Sequence, residues 1–313
     1  MSAIMSNKFT YEKDEKSSIL AEIKFDRHSA IQRRFKRLKK KTFDHYPERK
    51  QMAVFADDYV SNKVLAHGVY EKNQLEILVD WIMSRNTVAN NIVLDIGANI
   101  GNHSLFLASH FKKCISFEAN PRTFALLKFN SGLAANVVPH NVGLSDRSGE
   151  AQLYTNFANA GASSLSSKWN RSFDQSHKIK LERLDDFLAE ETGKIDLIKI
   201  DVEGHEWFVL KGSEKIIRDN RPAIVFEYSP SSMGTEAAEK DLIKLLNEYG
   251  YTSFLEIKDG WEVLNVKLRR LPKILRPLAK YIYVLFSGKV VHKIEPITDF
   301  EERQYLMVIA QPD

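Results

Sequence analysis

Two clusters of polar residues in this chain stand directly beyond apolar runs, where side chains can do chemistry. "KIDVEGHEW" at 199–207 gathers Asp201, Glu203, His205 and Glu206 just past a buried-looking strand. A carboxylate or an imidazole there can take a proton from a hydroxyl within hydrogen-bond reach. Asp201 and His205 are the candidates for that role. Glu203 and Glu227, the acid ending "IVFE" at 224–227, are candidates for substrate contact. Each has a plainer reading: Asp201 as a helix-start acid favoured by the dipole, Glu203 as a cap, His205 as a satisfied helix histidine, Glu227 as a structural pairing. Asp201 with Glu203 or Glu227 also suits Mg²⁺ chemistry. These carboxylates lack a clear ligand spacing, so Mg²⁺ is not favoured and no metal site is assigned.

The second cluster is "VLDIGANIGNHSL" at 93–105, an apolar strand running into a glycine turn and then a helix. A dinucleotide fingerprint requires G-x-G-x-x-G. Counting from Gly97, Asn99 and Asn102 fill the third and sixth places, and the fingerprint fails. No Gly-Lys-Ser/Thr follows, so the turn is not a P-loop. Asp95 at the strand's end would repel a pyrophosphate and suits a ligand with a cationic amine. Glu118, in "SFEAN", ends the next strand about twenty residues on, where doubly wound folds place an acid against ribose hydroxyls. A ribose, no phosphate and a positive amino-acid end describe S-adenosylmethionine. Asp95, Gly97, Ala98, Asn99, Gly101, Asn102 and Glu118 are the expected cofactor contacts. The alternative is a turn that only packs a helix against a sheet.

Both clusters need elements that bring them together. "NIVLDIG", "CISFEA", "KIDLIKID" and "AIVFEYS" read as strands, and helical stretches alternate with them. Asn120 can cap a helix with Pro121 at its first position. "EKNQLEILVDWIMSR" at 71–85 places Leu75, Leu78, Val79 and Ile82 at helical spacing. Repeated strand–helix units imply an α/β fold with a parallel sheet covered on both faces. Ligands of such sheets bind beyond the strands' carboxyl ends, so the two clusters should face one crevice. "FANAGASSLSS" at 157–167, with Ser163 and Ser164, reads as a loop that orders over the ligands as a lid, or as a solvent loop.

"VLDIGANIGNHSLFLA", "FEANPRTFALLKFN", "NVGLSDRSGEAQLY", "GASSL" and "IDLIKIDVEGHEWFVLKG" occur in that order between about residues 90 and 230. They resemble the successive signatures of FkbM-type S-adenosylmethionine-dependent methyltransferases. The resemblance implies a class I Rossmann-like fold with a seven-stranded, mostly parallel sheet. It implies O-methylation of a hydroxyl on a sugar, glycan or glycolipid, and it places Asn141 and Val142 near the adenine. Two regions are not core features of that family: the first fifty residues and a basic insertion at 267–293. The expected organisation is an N-terminal extension over 1–70 and a methyltransferase domain over 71–313.

Composition sets the outer bounds. The 313 residues are 43% hydrophobic and 27% charged, with a net charge of +4, as in ordinary globular proteins. A single cysteine, Cys114, excludes a disulfide framework and a cysteine metal site. The first residues have no apolar run of signal-peptide length, and "YIYVLF" is too short to span a bilayer. A cytoplasmic protein is expected. The charge is uneven: "RRFKRLKKK" at 33–41 and the acid-free stretch 267–293 are strongly basic. The latter suits peripheral contact with an anionic inner membrane surface, or a solvated basic loop. The basic runs also raise an RNA methyltransferase. The Asp/Asn-Pro-Pro-Tyr/Phe tetrad and any RNA-binding module are absent, so nucleic acid is not the expected partner. A non-catalytic membrane- or glycan-binding scaffold on the same fold is the third class.

Overall fold

The structure, a computed structural model, describes residues 51–56, 58–85, 91–155, 163, 175–191, 193–228, 236–258, 271–275, 278–279, 282, 293–301 and 303–313. The chain divides into the units Met1–His45 and Tyr46–Asp313, and the second holds the elements described below. The basic run at 33–41, Ser164 and most of the 267–293 insertion lie outside the described residues.

The strands with the most continuous apolar runs form the middle of the sheet. β1 (Ile92–Ile96) and β7 (Ile195–Ile200) are buried at every position, and β2 (Lys113–Phe117) at all but its first. Such runs are expected of parallel strands covered on both faces. With β3 (Val137–His140), β8 (Ala223–Tyr228), β9 (Ser253–Lys258), β10 (Lys293–Pro296) and β11 (Tyr305–Gln311), they make one sheet in the order β10-β9-β11-β8-β7-β1-β2-β3. The pairs from β3 through β8 are parallel, and β11 runs antiparallel to both β8 and β9. The expected seven strands are therefore eight. The addition is the short edge strand β10, antiparallel to β9 and ending in Pro296, a residue suited to a sheet edge. β4 (Gly143–Leu144), β5 (Gly149–Thr155) and β6 (Gln175–Glu182) form a separate sheet ordered β4-β6-β5.

Helices cover the sheet. The predicted amphipathic helix is α2 (Lys72–Met83), and Leu75, Leu78, Val79 and Ile82 are its buried positions. Burying each such side chain contributes about 1.5–3 kcal/mol. α3 (Asn102–Leu107) follows the glycine turn. α4 (Pro121–Ser131) starts as its sequence dictates: Pro121 opens it, and the Asn120 side chain accepts from the Arg122 N–H at 3.0 Å. Residues 51–70 do not behave as an extension. Asn130 exchanges two hydrogen bonds with the backbone of Ala53, and α1 (Tyr59–His67) is capped by the buried Asp58. No described helix is long and apolar enough to cross a membrane.

Candidate active site

The strand order reverses between β1 and β7, which makes their carboxyl ends the topological switch point. The glycine turn leaves β1 there. The N–H groups of Gly97 and Ala98 both donate to Phe117 O at the end of β2, while Asp201 N–H donates to Ile96 O. Gly97 has φ +77°, and a Cβ on it would lie 1.8 Å from the Asp201 carbonyl oxygen. Only glycine lets the turn pass this close to the end of β7. Gly101 has φ +90° and packs on Leu127 of α4. Asn99 holds a left-handed conformation at φ 51°.

Glu118 is fixed by backbone. Its Oε2 accepts from Asn99 N–H at 2.9 Å, and its Oε1 accepts from Asn120 N–H at 2.8 Å. Burial pushes its carboxyl up to about 7, against the opposing effect of those two bonds. Asn141 is exposed and donates to the carbonyls of Glu118 and Ala119. It thus stands beside the expected adenine side. Val142 is buried and belongs to the core cluster that also holds Phe117 and Leu144.

The side chains of Asp95 and Asn102 are engaged within the chain. Asp95 is 0% exposed, so its carboxylate does not open on the crevice. The cation it meets belongs to the chain: Lys199 Nζ lies 3.2 Å from Oδ1, and Ser104 Oγ donates to Oδ2 at 2.6 Å. Asp95 and Lys199 are register partners on β1 and β7, which puts both side chains on one face. The Asn102 side chain is occupied as well, accepting from Tyr70 N–H and donating to Tyr70 O, both at 3.0 Å.

Lys199 is the residue the sequence reading missed. It is 94% buried, and its ammonium also lies 3.3 Å from Asp201 Oδ2 and 3.4 Å from Gly97 O. Burial alone would lower its pKa, but Asp95 and Asp201 raise it above the ordinary lysine value. Its signal was a lysine in the middle of the buried strand "IDLIKI", which is costly unless paired.

The cluster at 199–207 separates into two groups. Asp201, with 40% of its side chain exposed, opens on the crevice from the end of β7. Phe226 pairs with Ile200 in the register, so Glu227 and Asp201 are the next residues on adjacent parallel strands. Gln304 Nε2 donates to Glu227 Oε1 at 2.5 Å. Burial, then the charge of Asp201, raises the Glu227 carboxyl. His205, by contrast, is engaged by Ser145 and Phe208. Its Nε2 lies 2.9 Å from Ser145 Oγ and its ring stacks on Phe208 at 4.5 Å. Burial depresses it to about 4, so it is neutral at pH 7. Glu206 lies under the turn: its Oε1 accepts from Val202 and Gly204 N–H, its buried Oε2 has no partner among the described residues, and burial raises it to about 7. Glu203 adopts the left-handed region at φ 52° in that turn. Ser163 is half-buried.

A further wall was not legible. The Asn102–Tyr70 pairing pins the segment before α2 to the start of α3. Glu71 then meets His103, with Oε2 3.3 Å from Nε2. The Tyr70 and His103 rings lie parallel at 6.1 Å, and Tyr59 meets Tyr70 edge-on at 6.0 Å. Glu71 has φ 57°. α3 starts directly after the glycine turn at the end of β1, so the Asn102–Tyr70 pairing brings this wall to that end of the sheet.

The donor set fits S-adenosylmethionine. Glu118 keeps lone pairs beyond its two backbone bonds, and Asn99 Oδ1 is buried with no partner among the described residues. Among the described residues no group of three or more His, Cys, Asp or Glu side chains is arranged to hold a metal ion.

Comparison with known proteins follows this geometry. The family described as the Methyltransferase FkbM domain matches residues 95–253. The hexuronic acid methyltransferase AglP of Haloferax volcanii is 32% identical over 162 residues, covering 51% of this chain and 62% of that protein. The 2-O-methyltransferase NoeI of Sinorhizobium fredii is 30% identical over 159 residues, covering 45% of this chain and 65% of that protein. The chain therefore spans less than two thirds of the length of either. A crystal structure of Methyltransferase FkbM from Methylobacillus flagellatus aligns with a TM-score of 0.39 at 17% identity, over 71% of this chain and 55% of that one.

Proposed function

The chain belongs to the FkbM methyltransferase family, and from that premise we propose that it moves a methyl group from S-adenosylmethionine to a hydroxyl of a sugar, glycan or glycolipid. The observation that carries the proposal is the convergence at the switch point. The Gly97 turn, the backbone-pinned Glu118 and the open carboxylate of Asp201 meet where β1 and β7 end. The relatives named for a hexuronic acid methyltransferase and a 2-O-methyltransferase support a sugar hydroxyl as the acceptor.

S-adenosylmethionine, when bound, supplies a methyl group already activated on a sulfonium. The chain's own residues do the rest. Glu118 would accept from the ribose hydroxyls, with Asn99 and Asn141 beside it. The backbone of Gly97, Ala98 and Gly101 gives the close approach the turn needs. An alcohol is a poor nucleophile while it keeps its proton, and Asp201 would take that proton. Lys199 orients Asp201 from below, through the contact at 3.3 Å. In this reading His205, which meets Ser145, serves the scaffold rather than the step.

Transfer of radiolabelled methyl to fractionated glycolipid, polysaccharide, small-molecule and RNA pools tests the acceptor class. Asp201→Asn should lower turnover about 100-fold and leave S-adenosylmethionine affinity by calorimetry close to wild type. Unchanged turnover removes Asp201 from the mechanism. Label entering only the RNA pool removes the sugar reading.

A further inference from the structure

Among the described residues, the acceptor side of the crevice gathers carboxylates. Asp201 and Glu227 end adjacent parallel strands. Glu71, from a different segment, is held at the start of α3, just past the glycine turn, by the Asn102–Tyr70 pairing and the contact with His103. Among the described residues, the ammonium that touches Asp201 is Lys199. That charge is shared with the fully buried Asp95, and only 8% of the lysine side chain is exposed. It has nothing left for an incoming anion. Beside Glu71 stands an aromatic wall of Tyr59, Tyr70 and His103.

Carboxylates accept hydrogen bonds and cannot donate them. They therefore suit a ligand rich in O–H groups, while aromatic faces suit its C–H faces. A ligand carboxylate brought among Asp201, Glu227 and Glu71 would meet like charges, a juxtaposition that costs several kcal/mol when desolvated. We infer that the acceptor is an uncharged polyhydroxyl sugar rather than a uronate, and that Glu71 and Glu227 are the residues that make this choice. The inference rests on the sugar O-methyltransferase reading and narrows it. It also separates this chain from its relative named for hexuronic acid methylation.

The test uses the full chain, radiolabelled S-adenosylmethionine and matched pairs of methyl glycosides: glucose, galactose and mannose, each against its uronate. Within a pair the neutral sugar should be favoured by about tenfold or more in kcat/KM. Glu71→Gln and Glu227→Gln should each narrow that ratio by improving KM for the uronate. The second variant keeps the test valid if the first fails to fold. Equal or better use of uronates by the wild type overturns the inference and leaves the sugar reading standing. Binding of S-adenosylmethionine with no methyl transfer to any glycoside overturns both.

Discussion

Around Glu118 the crevice is held together by backbone atoms: two N–H groups donate to Phe117 O, and two more fix the Glu118 carboxylate. Around Asp201 it is held by side chains: Lys199 under Asp201, Gln304 on Glu227, His103 on Glu71 and the Asn102 amide on Tyr70. A backbone-held site depends on where the chain can bend, which a short stretch of sequence encodes through its glycines. A side-chain-held site depends on which distant segments meet. It can be retuned by single substitutions without refolding the turn. This division suits an enzyme whose cofactor is constant and whose acceptor varies.

The largest expected effect breaks the backbone-held side. Gly97→Ala places a Cβ 1.8 Å from the Asp201 carbonyl oxygen, in a left-handed conformation that alanine disfavours. It should cost about 4 kcal/mol or more in denaturant unfolding and abolish the calorimetric signal for S-adenosylmethionine. A wild-type unfolding midpoint would show that the turn does not press on β7. Lys199→Met comes next and strikes the side-chain-held side. It leaves the buried Asp95 without its cation, at a cost of about 3 kcal/mol, and frees Asp201 to move. Turnover should fall far more than S-adenosylmethionine affinity. An equal loss in both would mean that Lys199 serves the two sides alike.

The same division explains what could be read in advance. The turn, Glu118 and the alternating strands lie within short stretches whose residue types fix their own geometry. Lys199 was visible as a charge in an apolar strand, but its partner Asp95 comes from another strand 104 positions earlier. Nothing in the spacing of Tyr70, Glu71 and His103 announces their meeting, because the Asn102 amide is what joins them. The surroundings of His205 were not legible for a similar reason. Its distance from Asp201 in sequence is short, but Ser145, sixty positions away, decides where the ring points. The eighth strand escaped notice because β10 is four residues long and ends in proline.

The smallest expected effect sharpens the comparison by asking whether His205 belongs to the scaffold. His205→Ala should leave turnover near wild type and cost about 1 kcal/mol at pH 7, from the lost Ser145 contact. The pH dependence carries the stronger signature. Burial lowers the His205 pKa from 6.5 to about 4, so between those values the unfolded chain binds more protons and the residue's contribution to stability rises with pH. The deficit of His205→Ala should therefore widen as pH rises from about 4 to 6.5. Glu206 runs the other way. Burial raises it from 4.5 to about 7, the folded chain binds more protons in that window, and stability falls as pH rises through it. The stability of Glu206→Gln relative to wild type should therefore climb between about pH 4.5 and 7. Glu118, raised to about 7 by burial, is present in both variants and cancels when each is referred to wild type. Unfolding midpoints across this range should give two differences of opposite slope. If His205→Ala instead loses turnover while its stability difference stays flat, the imidazole belongs to the reaction, and the crevice has a proton acceptor besides Asp201.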